Sequence, residues 1–398
     1  MNRPPRILIC YLVKNSGHHA AARAIETELK KQNPLAETRC LDLLETIHPR
    51  WSRFVQYAYM STIRRTPELW EALYDNFWVD LLTRRYIRPI VQRGNSLKLR
   101  ILMDMFRPDA IVCTQAHPFA VLSAYARRQG KPIPIWGVVT DFVPHRFWTV
   151  PPDPHIRYIV PTETACQRLM LLGIPAAHIR TLGIPIRGNL LSERRREVPR
   201  GGVPRILVMG GSRGLGAHYR TLRHLDSCPL DFRIDVVTGT NRKLRKQLVA
   251  HRHKFRHPLR IRGYVTDAPV LMQGSCLLIG KPGGLTSAEA MAAGTPMLII
   301  RPLPGQEHGN TEMLVRHGAA IHLNRDRDLP MVVRALLEHP TLLQNMATRA
   351  RQLAKPNAAQ DIAGDVLGTL PELSVEDAEA EVGRVPVPPD GVAQKGYP

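Results

Sequence analysis

Short apolar runs alternate with helical patterns along nearly the whole chain, and that alternation leaves few folds open. "RILICYL" (6–12) has the length and composition of a buried strand, and "HHAAARAIETELKK" (18–31) behind it carries one apolar helical face. Apolar runs return at "AIVCTQ" (110–115), "IPIWGVVTD" (133–141) and "HIRYIVPT" (155–162). Strands linked through helices run parallel, and a parallel sheet needs helices over its faces. The pattern loosens over 185–204, "PIRGNLLSERRREVPRGGVP", which is polar, basic and rich in turn residues. It restarts with strand candidates at 205–211, 232–240, 259–265, 276–282 and 296–303. The expectation is an α/β chain of two domains, 1–190 and 205–370, joined by a linker at 191–204. Residues 371–398 carry six acidic residues against Arg384 and Lys395 among many Pro and Val, and are expected to be a disordered tail.

The 398 residues suit two cores of ~150–200 residues better than one. A net charge of +21 suits polyanionic partners: nucleic acid, anionic lipid or nucleotide phosphates. It also suits plain solubility. The six cysteines form no C-x-x-C pair, so neither a zinc site nor a disulfide framework is indicated, and reduced thiols in a cytosolic protein are expected. The N-terminal apolar run is too short for a signal peptide. The longest uncharged stretch, 110–126, is broken by Gln115, His117 and Pro118 and cannot serve as a membrane span. A soluble protein, or one lying on a membrane surface, is expected.

Four stretches carry chemistry. In "KNSGHHAAA", Gly17 opens a helix directly after a strand, so backbone N–H groups point over the sheet edge, with His18 at the crevice mouth. In "VVTDFVPHRFW" (138–148), Asp141 ends a strand, where catalytic carboxylates tend to sit. Asp141 and His145, four apart, could take and relay a proton; a capping Asp is the plainer reading. "VMGGSRGLGAH" (208–218) runs from strand to glycines to helix, a loop able to cradle phosphate oxygens with Gly211, Ser212 and Arg213. "KPGGLTSAEAMAAG" (281–294) places Gly283 and Gly284 before a helix and Thr286 and Ser287 at its start, which suits a diphosphate. Glu289 lies about one turn inside that helix, placed to accept both hydroxyls of a ribose. Gln306, Glu307 and Asn310 of "PLPGQEHGN" offer acceptors for vicinal sugar hydroxyls. Together these parts describe a site for a nucleotide diphosphate-sugar.

Residues 50–107 interleave Trp51, Phe54, Trp78 and other rings with Arg64, Arg65, Arg84, Arg85 and further bases, eleven bases against five acids. Rings beside arginines suit a membrane interface. They also suit single-stranded nucleic acid, or a helical insertion with a solvated face.

The order of "VVTDFVPHRFW", "TLGIPIR", "MGGSRG", "KPGGLTSAEAMAAGTP" and "PLPGQEHGN" resembles the processive diacylglycerol glycosyltransferases and monogalactosyldiacylglycerol synthases from about residue 5 to 370. The T-D-x-x-x-H-x-x-W stretch separates the chain from the related N-acetylglucosaminyltransferase that makes lipid II. The resemblance implies a GT-B fold, two Rossmann-like domains facing each other across a cleft. The first domain would take a lipid acceptor and the second a UDP-sugar. It implies inverting transfer of glucose or galactose to the 3-hydroxyl of diacylglycerol, without cofactor or bound metal, by a peripheral enzyme on the cytoplasmic side of the cell membrane. Another lipid acceptor, such as a polyprenyl lipid, would use the same motifs. A nucleic-acid partner is not expected. By this resemblance the base is sought in His18 and Asp141, with Gly17, His145 and Trp148 completing the acceptor side. Gly211, Ser212, Arg213, Gly283, Gly284, Leu285 and Thr286 would surround the diphosphate, Glu289 the ribose, and Gln306, Glu307 and Asn310 the sugar. The chain departs from the family at Asn15 and Ser16, where glycine is usual, and by the second histidine, His19.

Overall fold

Ile7, Leu8, Ile9 and Cys10 are wholly buried, as a strand covered on both faces must be. They lie on β1 (Arg6–Tyr11) in a computed structural model that describes residues 3–47, 96–130, 132–188, 202–212, 214, 218–303 and 305–370. After β1 come α1 (Gly17–Gln32), β2 (Glu37–Asp42), α2 (Leu43–Ile47), α3 (Ser96–Phe106), β3 (Ala110–Cys113), α4 (Ala116–Arg128), β4 (Ile135–Val138), β5 (Ile156–Val160), α5 (Glu163–Leu171) and β6 (Ile179–Thr181). The six strands form one parallel sheet in the order β2-β1-β3-β4-β5-β6, with Leu8 opposite Ile111 and Val112 opposite Trp136.

The second half repeats the design. It holds β7 (Arg205–Met209), α6 (Tyr219–Asp226), β8 (Arg233–Val237), α7 (Arg242–Ala250), β9 (Leu259–Arg262), α8 (Ala268–Gln273), β10 (Leu277–Gly280), α9 (Gly284–Ala293), β11 (Met297–Ile300), α10 (Gln306–Arg316) and β12 (Ala320–Leu323). Its parallel sheet runs β12-β11-β10-β7-β8-β9. Helices α11 (Leu329–Glu338), α12 (Pro340–Leu353) and α13 (Ala358–Leu367) follow.

In each sheet the strand order reverses once, between β1 and β3 in the first and between β7 and β10 in the second. A crevice opens at the carboxyl ends of the strands at such a reversal. The loops that leave those four strands are the ones carrying His18, Thr114, Gly211–Ser212 and Lys281–Gly284.

The domain limits differ from the sequence expectation at both ends. Ile184 and Ile186 are buried among Leu207, Met209 and Met291, so the chain has joined the second core before residue 190. Conversely, α13 returns to the first domain, where Ile362, Ala363 and Val366 pack with Ile7, Ile9, Ala22 and Ile25. Trp136 Nε1 donates to Asp365 at 2.8 Å, and Arg180 pairs with the same carboxylate. Residues 358–367 thus belong to the first core and not to the 205–370 domain. The apolar face of α13 is what the first sheet lacks to cover β1. The tail from 371, the linker from 191 to 201, and the segment containing Trp51, Phe54, Arg64, Arg65, Trp78, Arg84 and Arg85 lie outside the described residues.

Candidate active site

The first loop builds its end of the site from a strained turn. Val13 and Asn15 have positive φ, 68° and 60°. Asn15 stands where the resemblance leads one to expect glycine, and asparagine is among the residues that tolerate this conformation best; a β-branched valine is a genuine outlier there. Ser16 then caps α1, its hydroxyl accepting from His19 N at 3.2 Å. The two histidines part company. His19 stacks on Tyr11, with ring centroids 4.5 Å apart, and its Nδ1 accepts from Asn15 N. His18 turns to the crevice.

His18 is held from three sides. Its Nδ1 lies 2.9 Å from the Thr114 carbonyl and 2.8 Å from Thr140 Oγ1. The Thr114 hydroxyl donates to the His18 carbonyl at 2.9 Å. A carbonyl can only accept, so Nδ1 carries the proton, and in the neutral ring Nε2 keeps its lone pair. Burial pushes the imidazole below its ordinary pKa, opposed by the charge of Asp141 and the Thr114 carbonyl. Asp141 is itself buried, which raises its pKa against the pull of His18 and of Asn310. The four-residue spacing in the sequence pairs Asp141 with His145. The fold instead joins it electrostatically to His18, because the strand-end loops of β1 and β4 converge while His145 turns away to stack edge-on with Phe147.

Trp148 does not serve a surface. It is 2% exposed, packs against Phe119 and offers its carbonyl to the Tyr158 hydroxyl. Its expected acceptor or membrane role is replaced by a core role, since the 3₁₀ turn at 146–148 points the indole inward.

Across the cleft, α9 begins at Gly284 with Gly283 as N-cap and no side chain capping it. The first N–H groups of a helix have no partner within it, and they carry the positive end of its dipole. Leu285 and Thr286 are half-buried beside them. The approach to the first domain is tight. A Cβ on Gly284 would stand 1.8 Å from the Thr140 carbonyl oxygen, and one on Gly17 3.5 Å from Leu285 Cβ. The two helix starts therefore face each other. Phe142 is buried in the second domain's core, and Gly309 lies against Val143. Asp141 and its neighbours thus plug the first domain into the second.

Glu289 is 9% exposed, and burial raises its carboxyl to about 7 against the attraction of Arg187. Arg187 also donates to the Thr266 carbonyl. Gly211 has positive φ, and the Ser212 carbonyl accepts from Thr240 N at 2.8 Å, fixing this loop at the same strand-order reversal as α9. Arg213 and the Gln306 side chain lie outside the described residues.

Glu307 and Asn310 are already committed within the protein. Glu307 is paired with Lys281 at 3.0 Å and accepts from Leu303 N at 2.6 Å, which ties the ends of β10 and β11 together. Asn310 is wholly buried; its Oδ1 accepts from Phe142 N at 2.8 Å, and its Nδ2 donates to the Pro282 carbonyl and, at 3.4 Å, to Asp141. It bridges the domains. Thr114, Thr140 and Arg187 were not singled out in the sequence. Thr114 sits inside an apolar strand run and Thr140 beside Asp141, and only their strand-end positions could have drawn attention to them.

Known proteins agree with this architecture. Residues 18–186 match the family model for monogalactosyldiacylglycerol (MGDG) synthase, and 205–362 that for the glycosyltransferase family 28 C-terminal domain. A processive diacylglycerol beta-glucosyltransferase of Bacillus pumilus (strain SAFR-032) is 28% identical over 92% of this chain and 96% of its own length. Among solved structures, MurG of Acinetobacter baumannii is similar with a TM-score of 0.58 at 16% identity, over 92% of this chain and all of MurG. HepE of Anabaena in complex with UDP is similar with a TM-score of 0.53 at 13% identity, over 92% of this chain and all of HepE. With two parallel six-stranded sheets meeting at their strand-order reversals and both family models matched in sequence order, the chain is a GT-B glycosyltransferase that uses a UDP-sugar, similar over 18–186 to the MGDG synthases and over 205–362 to the glycosyltransferase family 28 C-terminal domain.

Proposed function

We propose that the protein transfers a glucosyl group from UDP-glucose to the 3-hydroxyl of diacylglycerol, with inversion and without a metal ion, at the cytoplasmic face of a membrane. The observation that carries this reading is the His18 ring, held by Nδ1 on the Thr114 carbonyl and next in sequence to Gly17, which approaches Leu285 at the uncapped start of α9. A base and a diphosphate site on opposite walls of one cleft are what an in-line displacement at a sugar carbon needs.

Neutral His18 accepts the hydroxyl proton at Nε2 as the lipid oxygen attacks C1. Asp141 stabilises the resulting imidazolium through its charge. UDP leaves with growing negative charge, which the N–H groups at the start of α9 stabilise, a part played by helix dipoles in other sites. Glu289, as carboxylate, accepts the two ribose hydroxyls. The Phe142 plug and the Thr140–Gly284 approach exclude water from the bond being broken.

The relative's name supports glucose over galactose and diacylglycerol as acceptor, and its "beta" supports inversion of an α-linked donor. The UDP complex of HepE supports a UDP donor. No helix among the described residues is long and apolar enough to cross a membrane, and a peripheral placement is consistent with that. The test is purified protein with liposomes containing diacylglycerol, given UDP-glucose or UDP-galactose, with and without EDTA. Glycolipid from UDP-glucose, insensitive to EDTA and formed more slowly by Asp141→Asn, is the expected result. UDP binding with no transfer to diacylglycerol from either donor would overturn the acceptor assignment.

A further inference from the structure

Residues 241–264 contain nine Lys and Arg, three His and no acidic residue. They form α7, the turn after it and the edge strand β9, on the outer side of the second domain. This stretch takes no part in the site described above.

On α7, Leu244 and Leu248 are buried, and the exposed face carries Arg242, Arg245, Lys246 and Val249 at helical spacing. Arg252, His253 and Lys254 continue it, all exposed. None of these bases has an ion-pair partner among the described residues. Some exposed bases on other helices do find one, Lys30, Lys31, Arg100, Arg316 and Arg334 each pairing with an acid three or four residues away. Like charges at i and i+4, as in Arg242 and Lys246, weaken a helix. The arrangement opposes the fold locally and favours an anion outside it.

Two observations define that anion. The stripe from 242 to 254 has no phenyl, phenol or indole ring, and the adjoining Phe255 is spent on Tyr219 and Arg223, so stacking on unpaired bases has no platform here. Apolar surface does accompany the charge: Val249 is 58% exposed, and the stripe ends in an open hollow of about 500 Å³ walled by Val249, Phe255 and Pro258 beside Arg252 and His253. Cations over a shallow apolar wall suit phosphate headgroups and the first methylenes beneath them.

We infer that this stripe docks the second domain on an anionic phospholipid surface. The inference rests on the proposed lipid acceptor, which brings the cleft to a bilayer. It adds a contact on the donor domain, apart from the ring-rich 50–107 segment of the acceptor domain. A charged lipid surface would then hold both domains while they open and close around the donor.

The test is co-sedimentation of the full chain with phosphatidylglycerol-containing vesicles and with phosphatidylcholine vesicles, at low and high salt. The stripe variant is Arg242→Gln/Arg245→Gln/Lys246→Gln/Arg252→Gln. A control removes four exposed bases elsewhere, outside the 50–107 segment: Lys30→Gln/Lys31→Gln/Arg316→Gln/Arg334→Gln. Each base near an anionic surface contributes on the order of fivefold in partitioning, so the stripe variant is expected to lose roughly a hundredfold or more. The control is expected to lose much less. A double variant, Arg242→Gln/Lys246→Gln, keeps the question open to measurement if the quadruple one folds poorly, with an expected loss of roughly 25-fold. Equal losses in stripe and control variants would reduce the effect to net charge and overturn the inference. So would unchanged binding of the stripe variants, or a preference for duplex DNA over the anionic vesicles. Transfer to diacylglycerol in neutral detergent micelles is read in parallel. Its loss in the unaltered protein would overturn the acceptor assignment instead, leaving the vesicle result to stand by itself.

Discussion

Glu289→Gln should stabilise the nucleotide-free protein, and the gain should depend on pH in a defined way. Burial raises the Glu289 carboxyl from an ordinary 4.5 to about 7. An acid whose folded pKa is raised binds its proton more tightly in the folded state. Below about pH 4.5 both states are protonated and Glu289 contributes no penalty. Between 4.5 and 7 the unfolded chain ionises first, and folding stability falls as pH rises. Above 7 the penalty is complete. The displacement corresponds to about 3 kcal/mol, at about 1.4 kcal/mol per tenfold change in proton affinity. Glutamine keeps the shape and does not titrate, so the variant should match the wild type near pH 4.5 and exceed it by up to about 3 kcal/mol at pH 8. For a domain of this size that is a rise in Tm of roughly 6–12 °C. Thermal unfolding of both proteins at pH 5 and pH 8 reads it directly. A stability difference that does not change with pH, or a variant less stable at pH 8, would refute the reasoning. The same substitution should weaken UDP binding, because an amide cannot accept from both ribose hydroxyls as a carboxylate can. A gain in stability coupled to a loss in binding is the expected signature of a residue kept for its ligand.

The acidic limb of kcat/KM should fall at a pH below 6.5, since burial lowers His18; Asp141→Asn, which removes the charge opposing that shift, should move the limb to still lower pH while reducing the rate, as a pH–rate profile will show. Thr140→Val should reduce kcat about tenfold or more with little change in KM for UDP-glucose, because it loosens the His18 ring and leaves the donor wall intact; steady-state kinetics check this. Gly284→Ala should abolish transfer, since its Cβ would collide with the Thr140 carbonyl and hold the domains apart, while calorimetry still finds UDP binding. Ile362→Ala should cost about 2–5 kcal/mol in the unfolding of the first domain, measured by denaturant titration, although residue 362 lies beyond the second domain in sequence.

The strands that could not be read from the sequence share one physical property. Every interior strand is covered on both faces and therefore appears as an apolar run. The three strands without such a signal, β2, β6 and β12, are all sheet edges. "ETRCLD" has mostly half-exposed positions, and "IRT" is three residues long. An edge strand needs apolar residues only where a helix covers it, so its pattern fades into that of a loop. The glycine loops were legible because backbone approach demands glycine whatever the partner, as at Gly284. His18 and Asp141 were legible as candidates because they stand at strand ends.

By itself the sequence determined the α/β class, the pairing of two domains, the glycine-rich strand-to-helix turns and the short set of residues able to carry a proton. Local rules govern all of these: periodicity, turn chemistry and strand ends act within a few residues. Only the tertiary structure decided which histidine faces the cleft, that Asp141 serves His18 and not His145, that Trp148 fills a core, and that α13 closes the first domain from the far end of the chain. Those outcomes depend on contacts between residues about a hundred or more positions apart, such as His18 with Thr114 and Thr140, Phe142 with Asn310, and Trp136 with Asp365. Their energies come from burial and from hydrogen bonds that exist only when distant parts of the chain are brought together.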